Sequence, residues 1–131
     1  MIEGIGIDLV DIGKIKKILQ LRGEKFCSRV FSEKEAKTIE SVKNKNEDRG
    51  FQKAAGYFAA KEAFLKALGI GLFSVPLNKI SVLNNENGQP YINIDNGTAY
   101  FLNRKFKKNI SSVKVSITHE KGFACAMVIV Q

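Results

Sequence analysis

The chain has 131 residues, 44% of them hydrophobic, and a formal net charge of +8. Length and composition fit a single globular domain over residues 1–131, and the apolar runs are far too short to span a bilayer. The positive charge predicts an anionic partner, such as a nucleic acid, an anionic membrane surface, a phosphorylated small molecule or an acidic protein.

The N-terminus and the cysteines indicate where the protein works. Met1 leads directly into a strand-like segment, without the basic and apolar regions of a signal peptide. Cys27 and Cys125 have no metal-binding or disulfide spacing, which fits a reducing compartment. We therefore expect a cytoplasmic protein.

The first predicted element is a strand over residues 2–8, IEGIGID. Its side chains alternate, with Ile5 and Ile7 on one face and Gly4, Gly6 and Asp8 on the other. A strand face made of two glycines and an aspartate leaves room for another group to approach the backbone.

Two helices are predicted next. Asp11 is a suitable N-cap for a first helix whose apolar residues recur at helical spacing. The other faces of that helix are basic, with Lys14, Lys16 and Lys17. Ser32 and Glu35 form a capping box for a second helix, which we expect to start near Phe31.

A long central helix is predicted after a polar loop over residues 43–50. The helix runs over residues 52–68, and its sequence is rich in strong helix formers without a β-branched residue. Gly69 and Gly71 close it, as expected for a helix C-terminus.

The C-terminal half predicts two β-hairpins around a short helix. The first hairpin turns at Asn87-Gly88, the helix covers residues 98–106, and the second hairpin turns at residues 119–122. This order predicts an α+β fold of antiparallel hairpins packed with a long central helix.

Asp8 and Glu62 are the two carboxylates with a possible chemical role. Taken alone, Glu62 fits an i,i+4 surface ion pair with Lys66, and Asp8 fits an exposed carboxylate at a strand end. In the alternative interpretation the two carboxylates and phosphate oxygens together form a typical Mg²⁺ environment. The residues by themselves leave both interpretations open.

Other motifs carry less information. The GIG of residues 4–6 lacks the third glycine and the βαβ context of a dinucleotide fingerprint. Ser116 and His119 do not form a hydrolytic pair, because residues three apart on a strand face opposite ways. A small basic nucleic-acid-binding domain is compatible with the charge, although no RNP-type motif, GXXG loop or zinc finger is present. A non-enzymatic assembly module is a third interpretation.

Three segments, GIGIDLVDI, FAAKEAFLKALGIG and VSITHEKGFACAMVI, occur in this order. With them the whole chain resembles the holo-acyl-carrier-protein synthases, the small bacterial type of 4'-phosphopantetheinyl transferase. The resemblance implies that family's fold and its Mg²⁺-dependent reaction in fatty acid biosynthesis. In that reaction the 4'-phosphopantetheine group of coenzyme A passes to a serine of apo-acyl carrier protein, and adenosine 3',5'-bisphosphate is released. It also implies a homotrimer with coenzyme A between subunits, and neither a nucleic-acid nor a membrane partner.

The resemblance implies roles for individual residues as well. Asp8 and Glu62 are expected to bind Mg²⁺ and to act in catalysis, with Glu62 as the candidate base, directly or through a metal-bound water. A second set is expected to bind coenzyme A: Lys66, Gly69, Gly71, Thr118 and His119. A third set is expected on the surface that receives the acidic carrier protein: Lys14, Lys17, Phe26 and Arg29.

One position departs from the family pattern. Tyr57 stands where the family usually has an arginine just before F-A-A-K-E. The phosphate contact or ion pair expected of that arginine therefore needs a replacement, and Lys53 and Lys61 are the candidates.

Overall fold

The computed structural model describes all 131 residues and has the predicted α+β architecture. Its elements, in chain order, are β1 (Gly4–Asp11), α1 (Ile12–Val30), α2 (Glu33–Lys45), α3 (Glu47–Leu68), a 3₁₀ turn (Leu77–Lys79), β2 (Ile80–Asn84), β3 (Pro90–Ile94), α4 (Asn96–Phe106), β4 (Val113–Glu120) and β5 (Phe123–Val130).

The strands form two antiparallel sheets. One has three strands in the order β1-β5-β4, and the other is the β2-β3 hairpin. Helix α3 lies across the three-stranded sheet, and α1 and α2 also pack on it, so that α3 is the centre of the core. None of the helices is both long and apolar enough to cross a membrane.

The glycine face of β1 is where α3 approaches the sheet. A Cβ atom on Gly6 would lie 1.9 Å from the carbonyl oxygen of Ala63, and one on Gly4 would lie 1.9 Å from that of Ala67. The group that comes close to this strand is therefore the backbone of α3, which the missing side chains admit. Asp8, on the same face of β1, is thereby held against the central helix.

The predicted N-caps of α1 and α2 are confirmed. The Asp11 carboxylate accepts a hydrogen bond from the backbone N–H of Lys14 (3.2 Å). Ser32 and Glu35 form both hydrogen bonds of a capping box at the start of α2.

The predicted loop over residues 43–50 is wrong. Helix α2 continues to Lys45, α3 begins at Glu47, and only Asn46 separates them. Asn46 ends one helix and caps the next, because its side chain accepts from the backbone N–H of Arg49 (3.1 Å). The polar residues that indicated a loop are thus a helix end, a cap and an acidic first turn.

Both hairpins are confirmed, with one correction at each turn. Gly88 alone has a positive φ (82°) in the first, so the turn does not use Asn87 in a left-handed conformation. In the second, Lys121 and Gly122 have positive φ values of 49° and 85°, and they form the turn. His119 lies in β4, opposite Ala124, rather than in the turn.

Candidate active site

Asp8 lies on the inner face of β1 and is 8% exposed. Its Oδ1 accepts a hydrogen bond from Lys66 Nζ (2.9 Å), which also donates to the backbone oxygen of Ile7 (3.1 Å). The other oxygen, Oδ2, is buried and has no hydrogen-bond partner. A buried carboxylate oxygen without a donor is costly, which makes this atom a candidate ligand for a cation.

Glu62 is half-buried on α3 and lies beside Asp8. Burial, followed by the neighbouring carboxylate of Asp8, raises the pKa of Glu62 from 4.5 to about 8, although Lys66 opposes the shift. Two carboxylates so close together cannot both ionise freely, so Glu62 holds a proton at neutral pH until a cation compensates its charge.

Lys66 pairs with Asp8 and not with Glu62, its neighbour one turn earlier on α3. The surface i,i+4 ion pair, which the residues alone left open, is therefore absent. The hydrogen bond to Asp8 is the main cause that raises the pKa of Lys66. Asp8, Glu62 and Lys66 thus form one cluster, although 58 residues separate Asp8 from Lys66 in sequence.

The cluster has the donor set that Mg²⁺ uses beside a phosphorylated substrate. Magnesium typically binds one or two protein carboxylates and takes its other ligands from water and phosphate oxygens. No group of three or more His, Cys, Asp or Glu side chains comes together in the structure, so two carboxylates are what the chain offers. The free Oδ2 of Asp8 and the carboxylate of Glu62 fit that requirement.

A cavity of about 450 Å³ lies between α3, the β2-β3 hairpin and β4, and neither Asp8, Glu62 nor Lys66 lines it. Its lining includes three side chains that can contact an anion: Arg49, Lys53 and His119. Thr118, the neighbour of His119, is exposed on the opposite face of the sheet, across from Cys125. His119 and Thr118 therefore do not lie together within one chain.

Sequence comparison decides the family. Residues 4–128 match the 4'-phosphopantetheinyl transferase superfamily. The chain belongs to this superfamily. It is 40% identical over 128 residues to the holo-[acyl-carrier-protein] synthase of Campylobacter hominis, covering 97% of this chain and 96% of that protein.

Solved structures in the superfamily share the fold over almost the whole chain. The holo-(acyl-carrier-protein) synthase of Bacillus anthracis, in complex with CoA (3',5'-ADP), has a TM-score of 0.79 and 33% identity, with coverage of 99% and 96% of the two chains. The Helicobacter pylori synthase, in complex with coenzyme A, has a TM-score of 0.77 and 32% identity, with coverage of 97% and 99%. This membership favours the transferase interpretation over the nucleic-acid-binding and non-enzymatic ones.

Tyr57, where the resemblance implies an arginine, lies in the wall of the cavity. Tyr57 is 3% exposed, lines the cavity, and donates from its hydroxyl to Oδ1 of Asn84 (3.2 Å). Burial, and then the charge of Glu35, raises the pKa of Tyr57 to about 12, so the phenol stays neutral. Tyr57 therefore forms part of the wall and brings no positive charge.

Lys53 is the only one of the two candidate replacements that lines this cavity. Its Nζ lies 5.5 Å from the ring centroid of Tyr57, which orients the ammonium group by a cation–π contact. Lys61, by contrast, is completely buried and donates to three protein oxygens, so it is not free to bind a phosphate.

Arg49 is the residue of the cavity that the sequence interpretation missed. It fell within the region assigned to a loop, whereas it lies in the first turn of α3. The available signal was Asn46 followed by Glu47 and Asp48, an N-cap with acidic residues in the first turn of a helix.

The glycines after Lys66 form the end of α3. Gly69 has a positive φ of 71° and donates from its N–H to the backbone oxygen of Lys66 (3.0 Å). The backbone oxygen of Gly71 accepts from the N–H of Ser74 (3.1 Å), which turns the chain back. Both glycines follow Lys66 closely in sequence but do not line the 450 Å³ cavity.

The residues expected to receive the carrier protein divide into two groups. Lys14, Lys17 and Arg29 are exposed on α1, and the Arg29 guanidinium lies 5.3 Å from the ring centroid of Phe73. Phe26 is half-buried and packs edge-to-face on Phe31 and Phe58, with centroid distances of 6.1 and 5.9 Å. Phe26 therefore supports α1 on α3 while part of its ring stays accessible.

Proposed function

We propose that this chain transfers the 4'-phosphopantetheine group of coenzyme A to a serine of apo-acyl carrier protein, with Mg²⁺ bound by Asp8 and Glu62. The observation that carries the proposal is the buried, unpartnered Oδ2 of Asp8 beside Glu62, with Lys66 in contact with Asp8. A phosphorylated substrate and a divalent cation satisfy all three groups.

Coenzyme A is the donor in this proposal, and the relatives from B. anthracis and H. pylori are named as complexes with it. The cavity suits the 3'-phosphoadenosine end, because three side chains that can donate to an anion line it: Arg49, Lys53 and His119. Lys66 is suited to the pyrophosphate, since its ammonium group is exposed beside the carboxylate cluster. The turn of Gly69 and Gly71 follows Lys66 at the C-terminal end of α3, where its backbone would line the pyrophosphate pocket beside Lys66.

In the proposed reaction the serine hydroxyl oxygen attacks the phosphorus that carries the pantetheine arm. A new P–O bond forms, the P–O bond to the leaving adenosine 3',5'-bisphosphate breaks, and its electron pair leaves with that product. Glu62 takes the serine proton, and Lys66 holds the charged phosphate oxygens in place. When bound, Mg²⁺ neutralises charge on the attacked and leaving groups.

The carrier protein is an acidic partner in this proposal, and α1 offers it a basic surface. Lys14, Lys17 and Arg29 are exposed there, and no acidic residue lies in the first turn of the helix. Complementary charge of this kind contributes mainly to the association rate and to the orientation of the complex.

We also propose a homotrimer. The outer face of β1 exposes a row of large apolar side chains, with Ile5 63%, Ile7 59% and Leu9 64% exposed. Met127 and Phe123 on neighbouring β5 extend this surface. A contiguous apolar face is typical of a subunit contact. Thr118 is exposed on the same outer face, so it would reach coenzyme A only across such a contact.

Mass spectrometry tests the function. An apo-acyl carrier protein incubated with the chain, coenzyme A and Mg²⁺ should gain one phosphopantetheine adduct on a serine, and a chelator should abolish it. Asp8→Asn and Glu62→Gln should each lower the rate by at least about 10³-fold while the circular dichroism stays unchanged, because the cation's stabilisation of the transition state is lost. No adduct from the wild-type protein, or near-normal rates in both variants, would contradict the proposal.

A further inference from the structure

Lys61 and Glu35 form the most deeply buried ion pair in the structure, and the proposed reaction does not use it. Both side chains are 0% exposed. Lys61 Nζ donates to Oε1 of Glu35, to the backbone oxygen of Val30 and to that of Leu77 (2.9 Å). All three donors of the ammonium group therefore have acceptors.

Glu35 is equally well satisfied. Its Oε2 accepts from the backbone N–H of Val82 (2.7 Å), and its Oε1 accepts from the N–H of Ser32 (2.8 Å) as well as from Lys61. The pair thus ties together the end of α1, the start of α2, the middle of α3, the 3₁₀ turn and β2. A complete buried network of this kind fixes relative positions more strictly than apolar packing does.

The place of Lys61 on α3 links this network to the candidate active site. Lys61 directly precedes Glu62, and it follows Tyr57, in the wall of the 450 Å³ cavity, by one helical turn. Val82 is two residues before Asn84, which accepts the hydrogen bond of Tyr57. Anything that rotates or shifts α3 at Lys61 therefore moves Glu62 relative to Asp8.

Holding Glu62 beside Asp8 requires such an anchor. The two carboxylates repel each other when both are charged, and Lys66, which pairs with Asp8 alone, has a side chain that is 57% exposed. The glycine contacts of β1 fix the strand that carries Asp8 at Ala63 and Ala67. The Lys61–Glu35 pair fixes α3 to the remaining elements.

We propose that Lys61 and Glu35 are positioning residues, which hold α3 so that the carboxylate of Glu62 stays within reach of a cation bound to Asp8. This inference rests on the proposed function only in taking Asp8 and Glu62 as the cation site. A purely structural pair would affect folding stability and leave the cation affinity of the folded protein unchanged. Removal of a positioning pair lowers that affinity in protein that is still folded.

Direct binding of Mn²⁺ distinguishes these roles. Mn²⁺ prefers the same oxygen ligands as Mg²⁺, and its bound fraction is measured by electron paramagnetic resonance without turnover. The affinity is compared, in the presence of coenzyme A and without carrier protein, among the wild type, Glu35→Gln and the double variant Lys61→Met/Glu35→Gln. Glutamine keeps an acceptor oxygen for one of the two backbone N–H groups that Glu35 binds, and the double variant leaves no unpaired buried charge. Circular dichroism ensures that only folded protein is compared.

Leu102→Ala is the matched control. Leu102 is 0% exposed on α4, and its truncation destabilises the fold without touching the network or the carboxylates. We expect the double variant to bind Mn²⁺ about tenfold more weakly than the wild type, Glu35→Gln to show a smaller loss, and Leu102→Ala to bind normally.

Three other results would contradict either the positioning role of Lys61 and Glu35 or the proposed cation site. Wild-type affinity in a folded Lys61→Met/Glu35→Gln variant rejects the positioning role. Failure of both network variants to fold also rejects it, because the pair would then be required for folding itself. If the wild type does not bind Mn²⁺, the cation site of the proposed function fails instead.

Discussion

Helix α3 carries two lysine–carboxylate pairs that are built in opposite ways. In the Lys61–Glu35 pair both side chains are 0% exposed and every polar atom is satisfied. In the Lys66–Asp8 pair the lysine is 57% exposed, and one oxygen of the aspartate has no partner. The Lys66–Asp8 pair, with its unpartnered oxygen, is therefore the one available for chemistry. In the sequence the two pairs look alike, since each consists of one lysine and one carboxylate.

The pKa shifts at the two pairs differ as well. Burial raises the pKa of Glu35 and lowers that of Lys61, and the attraction between the two opposes both shifts. At the other pair a third group, Glu62, is forced beside Asp8 and holds its proton to about pH 8. The first arrangement is closed to solvent and ligands, whereas the second leaves one oxygen of Asp8 without a partner.

The strongest test of this comparison replaces each lysine by methionine. Lys61→Met leaves a buried, unpaired carboxylate at Glu35, so we expect a loss of about 3–5 kcal/mol in the free energy of unfolding. Lys66→Met affects a largely exposed ammonium group, so we expect a loss near 1 kcal/mol. Urea denaturation followed by circular dichroism measures both values, and equal losses would remove the distinction between the pairs.

Transferase assays should show the reverse order for these variants. Lys66→Met removes the ammonium group that we propose contacts the substrate phosphates, which should lower kcat/KM by roughly 10- to 100-fold. A folded sample of Lys61→Met should lose less than that at saturating Mg²⁺, because Lys61 does not touch a substrate.

A smaller effect is expected where β1 meets α3. Gly6→Ala places a Cβ 1.9 Å from the carbonyl oxygen of Ala63, so the strand must move away, at a cost of about 3 kcal/mol. Asp8, two residues further along the same face, moves with it, so the affinity for Mg²⁺ should also fall. In the control Gly23→Ala the new Cβ meets no atom within 4 Å, so no steric cost is expected. Similar Tm values for the two variants would show that this close contact is unimportant.

Much of this architecture could be predicted because local signals and the fold agree. The capping box of Ser32 and Glu35, the alternation of β1 and the hairpin turn at Gly122 each follow from a few neighbouring residues. The region around Asn46 was predicted wrongly because the same polar residues suit a loop and a helix-to-helix junction. A cap shared by two helices leaves no separate loop composition to detect.

Partners distant in sequence could not be predicted in this way. The contact of Lys66 with Asp8, the hydrogen bond of Tyr57 to Asn84 and the burial of Lys61 all depend on how the elements pack. The sequence predicts Glu35 as a capping residue, but a capping box gives no sign of a second, tertiary contact. The resemblance supplied Asp8 and Glu62 as a pair, and the structure adds why they affect each other.

The smallest predicted effect concerns pH. The ordinary pKa of Glu62 is 4.5 and its pKa in the folded chain is about 8. Below pH 4.5 the group is protonated in both states. Between these values the unfolded chain loses the proton that the folded chain keeps, so the contribution of Glu62 to stability falls as the pH rises and is lost above about pH 8.

The Tm difference between the wild type and Glu62→Gln, measured without metal, isolates this contribution, since Glu35 is present in both proteins. Because Glu62 is only half-buried, we expect the difference to decline by roughly 1–3 °C between pH 5 and pH 8. A cation competes with the proton for the same oxygens, so stabilisation of the wild type by Mg²⁺ should increase over this interval and level off above it. A Tm difference that does not change with pH would mean that Glu62 is ionised beside Asp8 without help, and the carboxylate cluster would then need no cation.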